Sequence, residues 1–145
     1  MIRPMRYLLA AVLLLAACDK ASSKKTDSAE LEAAEQKVGS VTPDELQSLL
    51  DAKKAQALDA NNDATRSREG VVPGATLLSS YREYDLSVLP SDKAMKLVFY
   101  CANEQCGASH TAAEKALASG HKDVRVLTAG ILGWTKAGKP VEPGA

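Results

Sequence analysis

Between Val41 and Val141 the spacing of apolar positions changes several times, and each change marks a new element. Leu46, Leu49 and Leu50 recur at helical spacing behind Val41-Thr42-Pro43-Asp44-Glu45. Thr42 suits a cap, Pro43 suits the first helical position, and Glu45 can return a hydrogen bond to the cap, so a helix is expected to about Ala52. Ala55–Asp59 reads as a short buried strand ending on an acid, and Ala60-Asn61-Asn62-Asp63 as a turn. Thr65–Gly70 is polar, a loop or a helical turn. The Pro73-Gly74 turn redirects the chain into the apolar run Ala75-Thr76-Leu77-Leu78. A short helix is expected within Tyr81–Leu89 and a loop over Pro90–Ala94. Lys96–Tyr100 is a compact apolar run with β-branched and aromatic residues, the pattern of a buried strand. Small residues follow it to Gly107. Ala112, Ala113, Ala116 and Leu117 then set a helical period over Thr111–Ser119, with Gly120 as C-cap. Val124–Leu127 is a further strand and Gly130–Gly138 a closing helix. Strands alternating with helices predict an α/β fold with a central, mainly parallel sheet flanked by helices, in three layers. Ligands of such sheets sit at the carboxyl ends of the strands, where Asp59 and Cys101 fall.

The first forty residues follow a different pattern. Met1–Arg6 carries two arginines and Tyr7–Leu15 is apolar, too short to span a bilayer and right for a signal peptide. Leu15-Ala16-Ala17-Cys18 resembles the lipobox of bacterial lipoproteins. That resemblance implies removal of residues 1–17 and a thioether lipid on Cys18. Asp19 resembles a signal that retains some lipoproteins in the inner membrane. The expected location is the cell envelope, lipid-anchored through Cys18 and facing the periplasm, with the inner membrane favoured by Asp19. Residues 18–40 are Ser, Lys, Ala, Asp and Glu with almost no large apolar side chain, a flexible tether. Residues 41–145 form the domain.

Composition narrows the partners. The 145 residues hold 18 basic and 18 acidic groups, a formal charge of zero, and aromatic residues make up 4%. Loss of Arg3 and Arg6 with the leader takes the charge to −2. Neither the charge nor the scarcity of stacking side chains suits nucleic acid. With Cys18 lipidated, Cys101 and Cys106 remain for the domain, in a compartment that permits disulfides.

Cys101 stands where a strand ends and a loop leads into a helix. Loop amides and those of the first helical turn form an anion-binding concavity there, which favours a thiolate. Cys101 is therefore the candidate catalytic nucleophile, on a loop of Ala102, Asn103, Glu104, Gln105, Cys106 and Gly107. Cys106 has three readings: disulfide partner, resolving thiol for a persulfide or sulfenate on Cys101, or second thiol of the pocket. Two cysteines without adjacent ligands do not make a zinc site, so neither metal nor cofactor is expected. Asp59 either holds the loop or caps a turn. His110 either bonds the thiolate or is a solvated first-turn residue. His121 is expected at the surface, and Trp134 in the core beside Ile131.

Several motifs together resemble the rhodanese-like family: Val41-Thr42-Pro43-Asp44-Glu45-Leu46, Asp59 after a strand, Val72-Pro73-Gly74-Ala75, and Cys101 after Leu97-Val98-Phe99-Tyr100. Gly120-His121-Lys122-Asp123-Val124-Arg125-Val126-Leu127, Gly130-Ile131-Leu132-Gly133-Trp134 and Ala137-Gly138-Lys139-Pro140-Val141 complete the match. The resemblance implies the rhodanese fold over Val41–Val141 and a loop cysteine that takes sulfane sulfur as a persulfide and passes it on. Cys101 holds that position. The implied partners are a small sulfur donor or thiol acceptor, with a protein partner left open. Asn61 and Val71 depart from the family, which often has arginine and histidine there. No cation lies in Ala102-Asn103-Glu104-Gln105, and Glu104 adds a like charge that disfavours an anionic donor. A phosphatase-type loop requires an arginine where Gly107 stands. The resemblance thus implies sulfane-sulfur or thiol-redox chemistry. The alternatives are an inactive rhodanese-fold binding module closed by a Cys101–Cys106 disulfide, and a thiol–disulfide oxidoreductase.

Overall fold

The structure, a computed structural model, describes residues 37–144. The expected leader, Cys18, Asp19 and most of the expected tether lie outside the described residues. Five strands form one sheet in the order β1-β5-β4-β2-β3, where β1 is Gly39–Val41, β2 Ala55–Asp59, β3 Thr76–Leu77, β4 Lys96–Tyr100 and β5 Val124–Leu127. All four pairings are parallel. Four α-helices connect and cover them: α1 Pro43–Asp51, α2 Asp63–Glu69, α3 Ala108–Ala118 and α4 Gly130–Lys136. The expected α/β class and parallel sheet are found.

The layers follow from alternation along the strands. Successive side chains of a strand point to opposite faces. Leu97 and Phe99 of β4, Leu58 of β2, and Val124 and Val126 of β5 therefore meet Ala112, Ala113 and Ala116 of α3 on one face. Val98 and Tyr100 meet Leu46 of α1 and Ile131 and Trp134 of α4 on the other. Cys101 continues the Leu97-Phe99 series and so turns toward α3. The capping box of α1 forms as expected, with Glu45 N–H donating to Thr42 Oγ1 at 3.2 Å and Thr42 N–H to Glu45 at 2.7 Å. Trp134 is fully buried and donates to the Pro140 carbonyl at 2.7 Å.

Several elements differ from the sequence pattern. β1 includes Gly39 and Ser40, which the composition assigns to the tether. Only Val41 of this strand is buried, so its existence depends on pairing with β5 rather than on apolar residues. Thr65–Glu69, within the stretch read as a loop or a helical turn, lies in helix α2, which ends on Gly70 and is capped by Asn62, whose side chain accepts from Thr65 N–H at 2.9 Å. Tyr81–Leu89 yields only a 3-10 turn at Leu86–Val88, although it sends Tyr84 into the core with its hydroxyl donating to Ala112 O at 2.8 Å. Helix α3 begins at Ala108, three residues before Thr111, without a side-chain cap. His121, expected at the surface, is fully buried. The turn at Gly120 folds it inward, where Lys93 Nζ lies 3.1 Å from its Nε2.

Candidate active site

The loop Cys101–Gly107 leaves the carboxyl end of β4, a central strand. Helix α4 fixes its first residues: Ile131 N–H donates to Cys101 O at 2.8 Å and Leu132 N–H to Ala102 O at 3.0 Å. Asn103 then shapes the turn. Its carboxamide oxygen accepts from Gln105 N–H at 3.1 Å, and its carbonyl accepts from Cys106 N–H at 3.1 Å. Such an Asx turn reverses the chain at little cost. It leaves Glu104 and Gln105 exposed at the apex and brings Cys106 back onto Cys101.

The two cysteines are joined in a disulfide, with Cα atoms 6.2 Å apart. The bond agrees with Cys106 as a disulfide partner, and it is also the product that a resolving thiol would leave. Cys101 is 1% exposed and belongs to the core on the α3 face. Cys106 is half-buried at its edge. The Cys101 sulfur has two polar neighbours, Ser109 Oγ at 3.4 Å and the Cys106 carbonyl oxygen at 3.1 Å. A disulfide sulfur carries no hydrogen, so the contact with Ser109 is the hydroxyl donating to sulfur. Ser109 is itself buried, in the first turn of α3. Among the described residues no backbone amide donates to this sulfur in the disulfide form.

Asp59 ends β2 directly beside Tyr100, its register partner. Its carboxylate faces its own segment: Oδ1 accepts from Asn61 N–H at 2.7 Å and from Arg66 Nε at 3.2 Å. Arg66, also buried, donates further to the Asp59 carbonyl at 3.0 Å and the Leu78 carbonyl at 2.9 Å. The pair locks the ends of β2 and β3 under the site. Burial above all, and then the Asp59 charge, hold the Tyr100 phenol far above its usual range. Tyr100 therefore stays neutral and accepts from Val72 N–H at 3.0 Å. His110 is exposed.

Beside the loop lies a cavity of about 280 Å³ between Asn103, Glu104 and Gln105 on one side and Ala129, Leu132, Gly133 and Lys136 on the other. It holds one acid and one base, Glu104 and Lys136, and neither cysteine lines it. A larger cavity of about 430 Å³ contains none of the loop residues. The charges around it are already engaged, Asp44 with Lys139, and Lys96 and Arg125 with Asp123. Two partners thus escaped the sequence. Arg66 stands seven residues after Asp59 and carries no motif, and Lys136 reaches the site only through the fold. The one available signal for Arg66 was a basic residue one to two turns into a segment that follows an acid-ended strand.

A family profile of the rhodanese-like domain matches residues 42–137. No curated protein matches the chain. Among solved structures, a thiosulfate sulfurtransferase from Pseudomonas aeruginosa is 29% identical with a TM-score of 0.61, and the match covers 80% of this chain and 22% of that enzyme. A 3-mercaptopyruvate sulfotransferase from Escherichia coli is 21% identical with a TM-score of 0.59, over 74% of this chain and 51% of that one. A Rhodopseudomonas palustris protein of unknown function, described as a possible tyrosine phosphatase, is 23% identical with a TM-score of 0.60, over 83% and 96%. The two likenesses below 25% identity show the fold alone.

Proposed function

The chain belongs to the rhodanese-like domain family, and from that premise we propose that it accepts sulfane sulfur on Cys101 and releases it reductively with the help of Cys106. In the reduced protein, the Cys101 thiolate attacks the sulfane sulfur of a donor R–S–SH. The donor S–S bond breaks, RS⁻ leaves, and Cys101 becomes a persulfide. The Cys106 thiolate then attacks the inner sulfur of that persulfide and expels hydrosulfide. The product is the Cys101–Cys106 disulfide. Two thiols are oxidised, one sulfane sulfur is reduced, and atoms and electrons balance. The observation that carries this reading is the disulfide closing the loop on the family's sulfur-accepting position. Lys136 and Glu104 border the cavity on the α4 side of the loop, which neither cysteine lines.

The test uses the reduced full chain with polysulfide or glutathione persulfide. Sulfide release should match disulfide formation in the wild type. Cys106→Ser should retain one cyanolysable sulfur and release none unaided, while Cys101→Ser should do neither. If the reduced wild type yields neither persulfide nor sulfide, the second reading stands: a binding module with a permanently closed loop, favoured by the near-complete burial of Cys101.

We further propose that Cys18 carries a lipid and holds the domain at the envelope membrane. The support is the sequence Leu15-Ala16-Ala17-Cys18 behind an apolar run. Mass spectrometry of the N-terminal peptide of the mature protein checks it, and an unmodified N-terminus would sink the anchor.

A further inference from the structure

The two sulfurs of the disulfide are not equivalent. A thiolate attacks a disulfide along the S–S axis, from the side away from the sulfur that leaves. Attack on Cys101 would have to come through the core, because the residue is 1% exposed and its sulfur packs against Ser109 on the α3 face. Attack on Cys106 comes from the half-open rim of the loop. The leaving side is also prepared. Ser109 Oγ lies 3.4 Å from Cys101 Sγ, and it sits in the first turn of an eleven-residue helix, whose amino end favours negative charge. The Cys106 carbonyl at 3.1 Å opposes that charge. It belongs to the residue that the reaction frees from its tie to Cys101.

We propose that the disulfide is opened at Cys106 by a dithiol reductant, with Cys101 as the leaving thiolate and Ser109 as its positioning residue. The reductant thiolate bonds to Cys106 Sγ, the Cys101–Cys106 bond breaks, and its electron pair stays on Cys101. The second thiol of the reductant attacks its own sulfur in the mixed disulfide and frees the Cys106 thiolate. The reductant ends as a disulfide and both protein cysteines are reduced. This inference rests on the reductive role proposed above, since it supplies the step that returns the resolved loop to its sulfur-accepting form. It also places the protein downstream of a sulfane-sulfur donor and dependent on a thiol-reducing partner.

The test needs no sulfur donor, so its failure is distinguishable from failure of persulfide transfer. Oxidised full-length protein is exposed briefly to glutathione as a one-thiol probe, quenched with acid, alkylated with N-ethylmaleimide and mapped by fragmentation mass spectrometry. Glutathione is expected on Cys106 and maleimide on Cys101. Glutathione on Cys101, on both equally or on neither overturns the proposal. Ser109→Ala should slow opening by dithiothreitol by roughly threefold for each unit by which it raises the midpoint of Cys101 alkylation against pH. An unchanged opening rate and midpoint would remove Ser109 from the step, and a purely structural loss would lower stability without moving that midpoint.

Discussion

Arg66 is the residue whose role was least visible in the sequence. Arginine is almost never fully buried unless paired. The seven residues of α2 carry no apolar stripe to announce that one of them points inward. Asp59 was legible as a strand-end acid, and Asn61 stands where the family often has arginine. Here Arg66 reaches back across one turn instead. Truncating one member of a buried pair leaves the other charged and unpaired, so Arg66→Met should cost about 3–5 kcal/mol. Urea denaturation reads this directly, and a loss below about 1 kcal/mol would mean that Asp59 finds water or another donor. Lys136 acts in a different way. It faces Glu104 across the loop cavity, so Lys136→Glu should slow persulfide formation from an anionic donor such as thiosulfate by roughly tenfold at low salt and by less as salt screens the charge. Cyanolysis rates measured against ionic strength decide this, and a salt-independent loss would assign Lys136 to shape rather than charge.

The meeting of the Cys101–Gly107 loop with α4 depends on a single backbone position. Gly130 has φ +63°, and a Cβ there would fall 2.5 Å from the Ala102 carbonyl group and 2.6 Å from Asn103 N. Neither is a flexible side chain that can move aside. The same closeness lets Ile131 N–H and Leu132 N–H hold the loop. Gly74 has φ +73° with nothing within 4 Å of where a methyl would stand, so the two positions separate backbone strain from collision. Gly74→Ala should cost about 1 kcal/mol, from the left-handed backbone alone. Gly130→Ala should cost about 2–4 kcal/mol and slow reclosure of the Cys101–Cys106 disulfide, because the loop must shift away from α4. Equal costs at the two sites would show that the loop yields freely. The pattern Gly130-Ile131-Leu132-Gly133-Trp134 was readable as a closing helix. That its first glycine serves the loop rather than the helix was not, because the contact joins residues nearly thirty positions apart.

The fold as a whole was legible where burial imposes a period, as in β4 and α3, and least so where pairing or irregular chain does the work. β1 and the chain from Leu78 to Ala94 belong to the second kind. That irregular stretch is tied to the rest partly through His121, which follows α3 and meets Lys93, with Lys122 N–H donating to Lys93 O at 3.0 Å. Histidine in a polar turn after Gly120 reads as a surface residue, and only the packed molecule shows it enclosed. Burial foremost, and Lys93 next, lower its pKa from 6.5, while Asp92 pulls the other way. Its stability effect has a definite sign. Above pH 6.5 His121 is neutral in both states and the fold keeps its full stability. As pH falls below 6.5 the unfolded chain takes up a proton that the folded one refuses, and stability declines until the folded state also protonates. Glu45 and Asp85, held low by their backbone hydrogen bonds, act only below their ordinary values of 4.5 and 3.8, so the windows are separate. Urea midpoints at about pH 7.5 and about pH 5.5 should therefore differ for the wild type. The difference should shrink in His121→Gln, which keeps a polar side chain at the site, and persist in His110→Gln, where the ring is exposed. If both variants keep the wild-type slope, the acid sensitivity lies elsewhere in the molecule, and His121 stays buried by accepting its proton rather than by refusing it.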